Sequence, residues 1–398
     1  MKCIIGLAAA LLMAACSNDV VEPETGTPDA PKGLGEIVIT LPTKKLTTRA
    51  DDSDGTASGP SHDELHGVVN VNKGKVLIFS TAGGIDDNFL FEKAIDVTFE
   101  EKTFEGDVVF DDECETGGKT RMTAETTFTP ETGKLYKIYV YAYDENGVSI
   151  TDDVAGKYLT EKNEKYEANN LAAISVSQAL PLSEEHTMEI YGGWVYEYRN
   201  SSYPMRNASP TGPILNQIST PIKNYGGSLK RQTGRFELHI TGIEAEDNVQ
   251  SASLIISKYH EKMPVGIETV SEDGDIYYYN PFETKEEVVA KDIPVNNGSL
   301  DFCADMIPFE YSNVFVETKM SDGSTIKHKI RVADKLVDAT AIGVSAWIVK
   351  NSQLRVWPNF WMTLNATYEQ LKSNWEIDFN WGTIDGKDGY EYEEELTK

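Results

Sequence analysis

Short runs of β-branched and aromatic residues, each closed off by Gly, Asn, Asp or Pro, recur along this chain, and apolar positions return at every second residue more often than at every third or fourth. That rhythm marks strands with one buried face; a helix would show a period near 3.6. Strands are predicted at 36–41, 75–80, 94–99, 107–110, 135–143, 235–240 and 252–257. After the longest of these, Asp144-Glu145-Asn146-Gly147 predicts a hairpin exit. Segments 313–320 and 325–332, joined by Ser321-Asp322-Gly323-Ser324, carry the strongest hairpin signal. Near the end, Trp375, Ile377, Phe379 and Trp381 alternate with Glu376, Asp378 and Asn380, which predicts a strand with one large apolar face. Helical periodicity is confined to 63–71, 161–171 and 368–373. The fold class is therefore all-β, mainly strands with a few short helices, arranged as two tandem β-sandwich domains at 34–180 and 181–398.

Length supports the division, since 398 residues exceed the size at which one core stops growing, about 250–300. The N-terminus departs from the strand rhythm. Lys2 is followed by an apolar stretch from Ile4 to Met13, then Ala14-Ala15-Cys16 and the polar run Ser17-Asn18-Asp19. A charged start, a short apolar core and small residues before a cut site make a secretory signal, and a cysteine just after the cut makes it a lipoprotein signal. Residues 1–15 are read as the signal peptide, Cys16 as the lipidation site, and the Pro/Glu/Thr/Gly-rich stretch 16–33 as a tether. A span across a bilayer needs about 20 apolar residues, more than Ile4 to Met13 provides. Cys3 leaves with the signal, so Cys114 and Cys303 remain, far apart, and are read as free thiols. The net charge of -28 repels phosphate backbones and excludes nucleic acid as a partner.

Candidate chemistry is sparse. His62-Asp63-Glu64-Leu65-His66 spaces two histidines four apart, but a zinc-protease motif needs Glu, not Asp63, directly after the first. Asp51 to Asp54 and Asp273-Gly274-Asp275 fall short of the spaced oxygen set of a calcium loop. With 64 acidic residues, no catalytic carboxylate pair stands out, and no nucleophile elbow, phosphate loop or dinucleotide fingerprint occurs. No catalytic residue, metal or cofactor is assigned, and an enzyme, a secreted β-sandwich hydrolase, is the weakest of three readings. A second makes this a surface glycan-binding lipoprotein of the outer membrane: Trp194, Tyr196, Tyr198, Tyr277, Tyr278, Tyr279 and Trp357 offer rings for sugar stacking, although their alternation equally suits a packed strand.

The leading reading starts from the isolated strand at Ile37, Ile39 and Leu41, followed by a polar stretch containing Thr47-Thr48-Arg49-Ala50. If that strand fills an edge of the first sandwich, a cut after Arg49 would free it and open an apolar groove that another chain's strand could fill. Cys16, the tether, the strand before Thr47-Thr48-Arg49-Ala50, the strand Val76-Leu77-Ile78-Phe79 and two β domains in series together resemble the fimbrillin (type V pilin) family with its anchor and tip relatives. Leu229-Lys230-Arg231 ahead of 236–240 is similar to the opening of that family's second domain. The resemblance implies two transthyretin-like sandwiches, export as a lipoprotein, maturation at Arg49–Ala50, and Ile37, Ile39 and Leu41 as the displaced strand. It implies assembly by strand exchange, with other fimbrial subunits as partners, the outer membrane reached through the lipid before processing, and host or bacterial surface ligands bound by the finished fimbrium. The C-terminus departs from the stalk pattern, because the acidic ending Glu393-Glu394-Glu395-Leu396-Thr397-Lys398 suits no donor strand. Either 375–381 donates, or it is merely the last strand of a tip, accessory or anchor subunit.

Overall fold

A computed structural model describes residues 35–41, 71–84, 88–103, 120–131, 133–145, 149–151, 174–182, 188–199, 203–204, 215–216, 224–266, 268–272, 275–339 and 344–383. The first strands are β1 (Gly35–Thr40), β2 (Lys73–Thr81), β3 (Leu90–Thr98), β4 (Glu100–Thr103), β5 (Thr120–Phe128) and β6 (Leu135–Tyr143). Shorter ones follow: β7 (Ser149–Thr151), β8 (Ser175–Ser177), β9 (Ile190–Trp194), β10 (Tyr196–Arg199), β11 (Tyr203–Pro204), β12 (Leu215–Asn216), β13 (Asn224–Ser228) and β14 (Lys230–Arg231). Beyond them lie β15 (Gly234–Thr241), β16 (Val249–His260), β17 (Lys262–Pro264), β18 (Glu268–Glu272), β19 (Asp275–Tyr279), β20 (Thr284–Pro294), β21 (Leu300–Met306) and β22 (Phe309–Ser312). The last are β23 (Val314–Met320), β24 (Thr325–Lys329), β25 (Lys335–Ala339), β26 (Val344–Lys350), β27 (Gln353–Val356), β28 (Phe360–Thr367) and β29 (Asp378–Thr383), with one short α-helix among the described residues, α1 (Tyr368–Lys372), before β29. The helix starts on a capping box in which Thr367 and Gln370 satisfy each other's backbone N–H groups.

Two sheets dominate the first half: an outer one ordered β11-β10-β13-β1-β5-β4 and a middle one ordered β14-β9-β6-β2-β3. Val76, Ile78, Ile138 and Val140 of the middle sheet share one core with Ile37, Ile39, Leu41, Ala124 and Phe128 of the outer sheet. The opposite face, Leu77, Phe79, Tyr139 and Tyr141, joins a second core with Ile174, Val176 and the C-terminal strands. Burial on both faces explains why β6 reads Leu-Tyr-Lys-Ile-Tyr-Val-Tyr-Ala-Tyr without polar alternation. In the second half, sheets β21-β15-β28-β29 and β20-β16-β23-β24 pack around Leu238, Leu254, Val316 and Leu364, and β22-β27-β26-β25 extends them. The fold is all-β and sandwich-built, as the alternation requires.

Several details differ from the sequence pattern. The turn after β6 does not return on itself, because β7 pairs β8, and β8 pairs β17, in a separate small sheet. The segment from Ile190 to Arg231 belongs by pairing to the first two sheets: β9 lies on β6, β13 on β1 and β14 on β9. The sheets of the first sandwich thus run past residue 181, where the sequence pattern places the second domain, and we propose that the division falls near Gln232–Gly234. The hairpin β23–β24 and α1 form where periodicity predicts them. Segments 107–110 and 161–171, and all but Val71 of 63–71, lie outside the described residues.

Gly192 of β9 fits a tight approach between the halves. A Cβ there would overlap the Tyr139 hydroxyl and come within 2.9 Å of the Val265 carbonyl oxygen, to which that hydroxyl donates at 3.0 Å. Gly192→Ala is therefore expected to cost about 1–3 kcal/mol by overpacking. Chemical denaturation should show the loss, and Tyr139→Phe in the same chain should recover part of it.

Candidate functional site

The seat of β1 is the feature with functional consequence. The strand runs antiparallel to β5 from Gly35↔Phe128 to Thr40↔Thr123 and parallel to β13 from Glu36↔Asn224 to Thr40↔Ser228. Main-chain bonds continue beyond it: Leu41 donates to the Met122 carbonyl at 2.9 Å, and Leu229 donates to the Thr40 carbonyl at 3.0 Å. Ile37, Ile39 and Leu41 are each 0% exposed, facing the middle sheet. Release from a sheet edge is the case supposed above; the strand is instead interior, hydrogen-bonded on both sides. Withdrawing it would leave a slot with two walls and an apolar floor.

Three other edges, β4, β20 and β24, are unattractive to an incoming strand. All four residues of β4 are exposed, and three are charged. β20 pairs β16 through register shifts and carries Lys285, Glu286, Glu287 and Lys291. β24 carries Lys327 and Lys329. Charge and bulges of this kind block edge-to-edge pairing, whereas the inner edges of β5 and β13 are blocked only by β1 itself.

At the other end, β29 forms an outer strand on β28 from Phe360↔Thr383 to Asn365↔Asp378. Ile377 is buried, Phe379 and Trp381 pack against the second core, and Trp381 stacks on Phe360 at 5.5 Å. Trp375 stands apart, 62% exposed, in the turn after α1. The alternating quartet is thus divided between a docked last strand and one exposed indole.

Trp194, Tyr277, Tyr278 and Trp357, four of the rings considered for sugar stacking, are engaged in packing. Trp194 lies edge-on to Tyr139 at 4.9 Å, and buried Trp357 meets Tyr278 and Phe360, each at 5.7 Å. Tyr277 and Trp357 also flank Arg355, a side chain with no exposed surface, whose guanidinium sits 5.0 Å and 4.7 Å from their ring centres and 4.3 Å from that of Tyr311. Arg355 pairs with Glu310 and with Asp275 at 3.1 Å, and it donates to the Trp347 carbonyl at 2.6 Å. Burial pushes the Glu310 carboxyl above the usual carboxylate range, against the pull of Arg355. Asp275, considered for a calcium loop, is thus an arginine partner, and no cluster of metal-ligating side chains occurs among the described residues. The sequence pattern missed this centre; its only signal was Arg355 interrupting an apolar strand. Tyr279 is the exposed member of its run, and the side chains of Tyr196 and Tyr198 are not described.

Cys303 is a free thiol, which burial, ahead of the carboxylates beside it, pushes up to about 12. Cys16, Arg49, Ala50, Asp51 to Asp54, His62, His66, Cys114 and Asp273 lie outside the described residues. No helix among the described residues is long and apolar enough to cross a membrane.

No protein-family profile matches the chain, and neither does any curated protein. Solved structures similar to it include a candidate adhesin from Bacteroides ovatus, 12% identical over 85% of this chain and 90% of that one, with a TM-score of 0.39. Another is the fimbrial anchor protein Mfa2 from Porphyromonas gingivalis, 14% identical over 88% of this chain and 99% of that one, at a TM-score of 0.36. A third, a candidate polysaccharide-binding protein from Bacteroides thetaiotaomicron, is 12% identical over 90% and 100%, at 0.37.

Proposed function

We propose that this chain is a non-catalytic adhesion subunit of a cell-surface fimbrium, exported as an outer-membrane lipoprotein through Cys16 and assembled by strand exchange with other fimbrial subunits. The observation that carries this reading is β1: a short strand along which Ile37, Ile39 and the adjoining Leu41 are fully buried, and which alone covers the facing edges of β5 and β13. Cleavage after Arg49 severs its downstream connection, since β2 begins only at Lys73. Because β1 precedes every other described strand, it can be drawn out without unthreading any of them. The vacated walls then take an extended segment of another subunit by main-chain pairing, with alternate apolar side chains on the floor.

Treatment of the purified full chain with an arginine-specific protease tests this. The expected product begins at Ala50 and migrates as oligomers; a chain that stays intact and monomeric counts against the exchange step. The lipid is tested separately: labelled palmitate should enter the protein in cells, and Cys16→Ser should abolish its incorporation.

A further inference from the structure

Two stretches of chain pass between the halves of the molecule, and they meet at one residue of β21. The first is the linker from β14 to β15, residues 231 to 234. Arg231, on its first-half side, reaches Asp305 Oδ2 with Nη2 at 2.6 Å and Glu189 Oε1 with Nη1 at 3.6 Å. Arg235, on its second-half side, reaches Asp305 Oδ1 with Nη1 at 3.4 Å and Glu237 Oε1 with Nε at 2.7 Å. Between them, Thr233 accepts from Arg231 Nε at 3.2 Å and donates to the Met188 carbonyl at 2.9 Å. The second is the strap 174–182, whose β8 lies on β17. Gln178 donates its Nε2 to the Asp305 carbonyl oxygen at 2.9 Å, and its Oε1 accepts from the Tyr259 hydroxyl at 2.5 Å. Leu182 continues the strap by donating to the Val289 carbonyl at 2.7 Å.

We infer that Asp305 is a lock that ties the linker and the strap to the second sandwich, so that the two sandwiches move as one body. Its side chain grips an arginine from each side of the linker while its main chain holds the strap. Burial makes the arrangement stringent: Arg231, Arg235, Glu189, Glu237 and Asp305 are each 6% exposed or less. A buried carboxylate bonded to two guanidinium groups resists separation more than an exposed pair does, because neither partner can return to water without leaving the other unpaired. The lock also adjoins the seat of β1, since Leu229, bonded to Thr40, precedes β14 directly. A pull on a strand in that seat would pass through β13 and β14 to Arg231 and then to Asp305. The lock itself does not depend on strand exchange.

The test is trypsin digestion of the full chain under native conditions. In the unaltered protein the bonds from Lys230 to Arg235 should resist cleavage. Asp305→Asn keeps the shape but removes the charge, and it is expected to speed cleavage between those residues by at least about tenfold, as local opening exposes the linker, while far-ultraviolet circular dichroism and cleavage elsewhere stay unchanged. Equal acceleration at all sites would mean that Asp305 merely stabilises the fold and would overturn the proposal, as would no acceleration. Should Asp305→Asn fail to fold, Arg231→Lys gives the same readout, since an ammonium cannot span Asp305 and Glu189 as the guanidinium fork does.

Discussion

A chain lacking residues 1–49 is expected to lose its monomeric state, and a peptide spanning residues 34–42 is expected to restore it. Three fully buried apolar side chains leave with β1. At about 1.5–3 kcal/mol each, they amount to roughly 5–9 kcal/mol, comparable with the whole stability of a domain, about 5–15 kcal/mol. The main-chain groups of β5 and β13 that faced β1 lose their partners at the same time. Such a slot fills from wherever a strand is available, which without added peptide is another molecule. Size-exclusion chromatography with light scattering should show oligomers for the trimmed chain and monomer after adding peptide. The same peptide with Ile37→Asp and Ile39→Asp should restore nothing, because a carboxylate cannot be seated on the apolar floor. A trimmed chain that stays monomeric with an unchanged melting temperature would remove β1 from any part in assembly.

Arg355→Met is expected to be the most damaging single substitution in the second half. It removes the cation between Asp275 and Glu310 and leaves both carboxylates in the interior. Stranding a buried charge by deleting its partner costs about 3–5 kcal/mol, a fall of roughly 6–20 °C in melting temperature for a unit of this size. The damage should centre on the β18–β19 hairpin, which is held by Glu310 accepting from the Tyr278 backbone at 2.8 Å and by Asp275 pairing with Arg355. Calorimetry provides the measurement, and a triple variant that also carries Asp275→Asn and Glu310→Gln should regain part of the loss. If the triple variant melts no higher than the single one, packing against Tyr277, Tyr311 and Trp357 outweighs charge at this centre.

Much of the fold was legible because alternation is a local property. Strands such as β1, β2, β15 and the β23–β24 hairpin declare themselves within a few residues, and Ile37, Ile39 and Leu41 stand out as one apolar face without knowledge of the neighbours. What no local pattern conveys is which strands become neighbours. β1 is interior because β13, almost two hundred residues later, pairs with it in parallel, and Asn224-Tyr225-Gly226-Gly227-Ser228 carries no strand signal to announce that. Nor does any local pattern announce that β9 to β14 return to sheets begun before Tyr143, the observation behind the division proposed near Gln232–Gly234. The charged centres at Asp305 and Arg355 depend on side chains many positions apart, and in an acidic chain their carboxylates are indistinguishable from solvated ones.

The double coverage of the middle sheet bears on how far this architecture can be dismantled. Tyr139 needs the Val265 carbonyl and β8 needs β17, so a fragment ending before Gly234 would keep its first layer yet present Leu77, Phe79 and Tyr141 to water. The halves are consequently not interchangeable cassettes: a chimera joined between them must inherit both sides of that shared wall or precipitate.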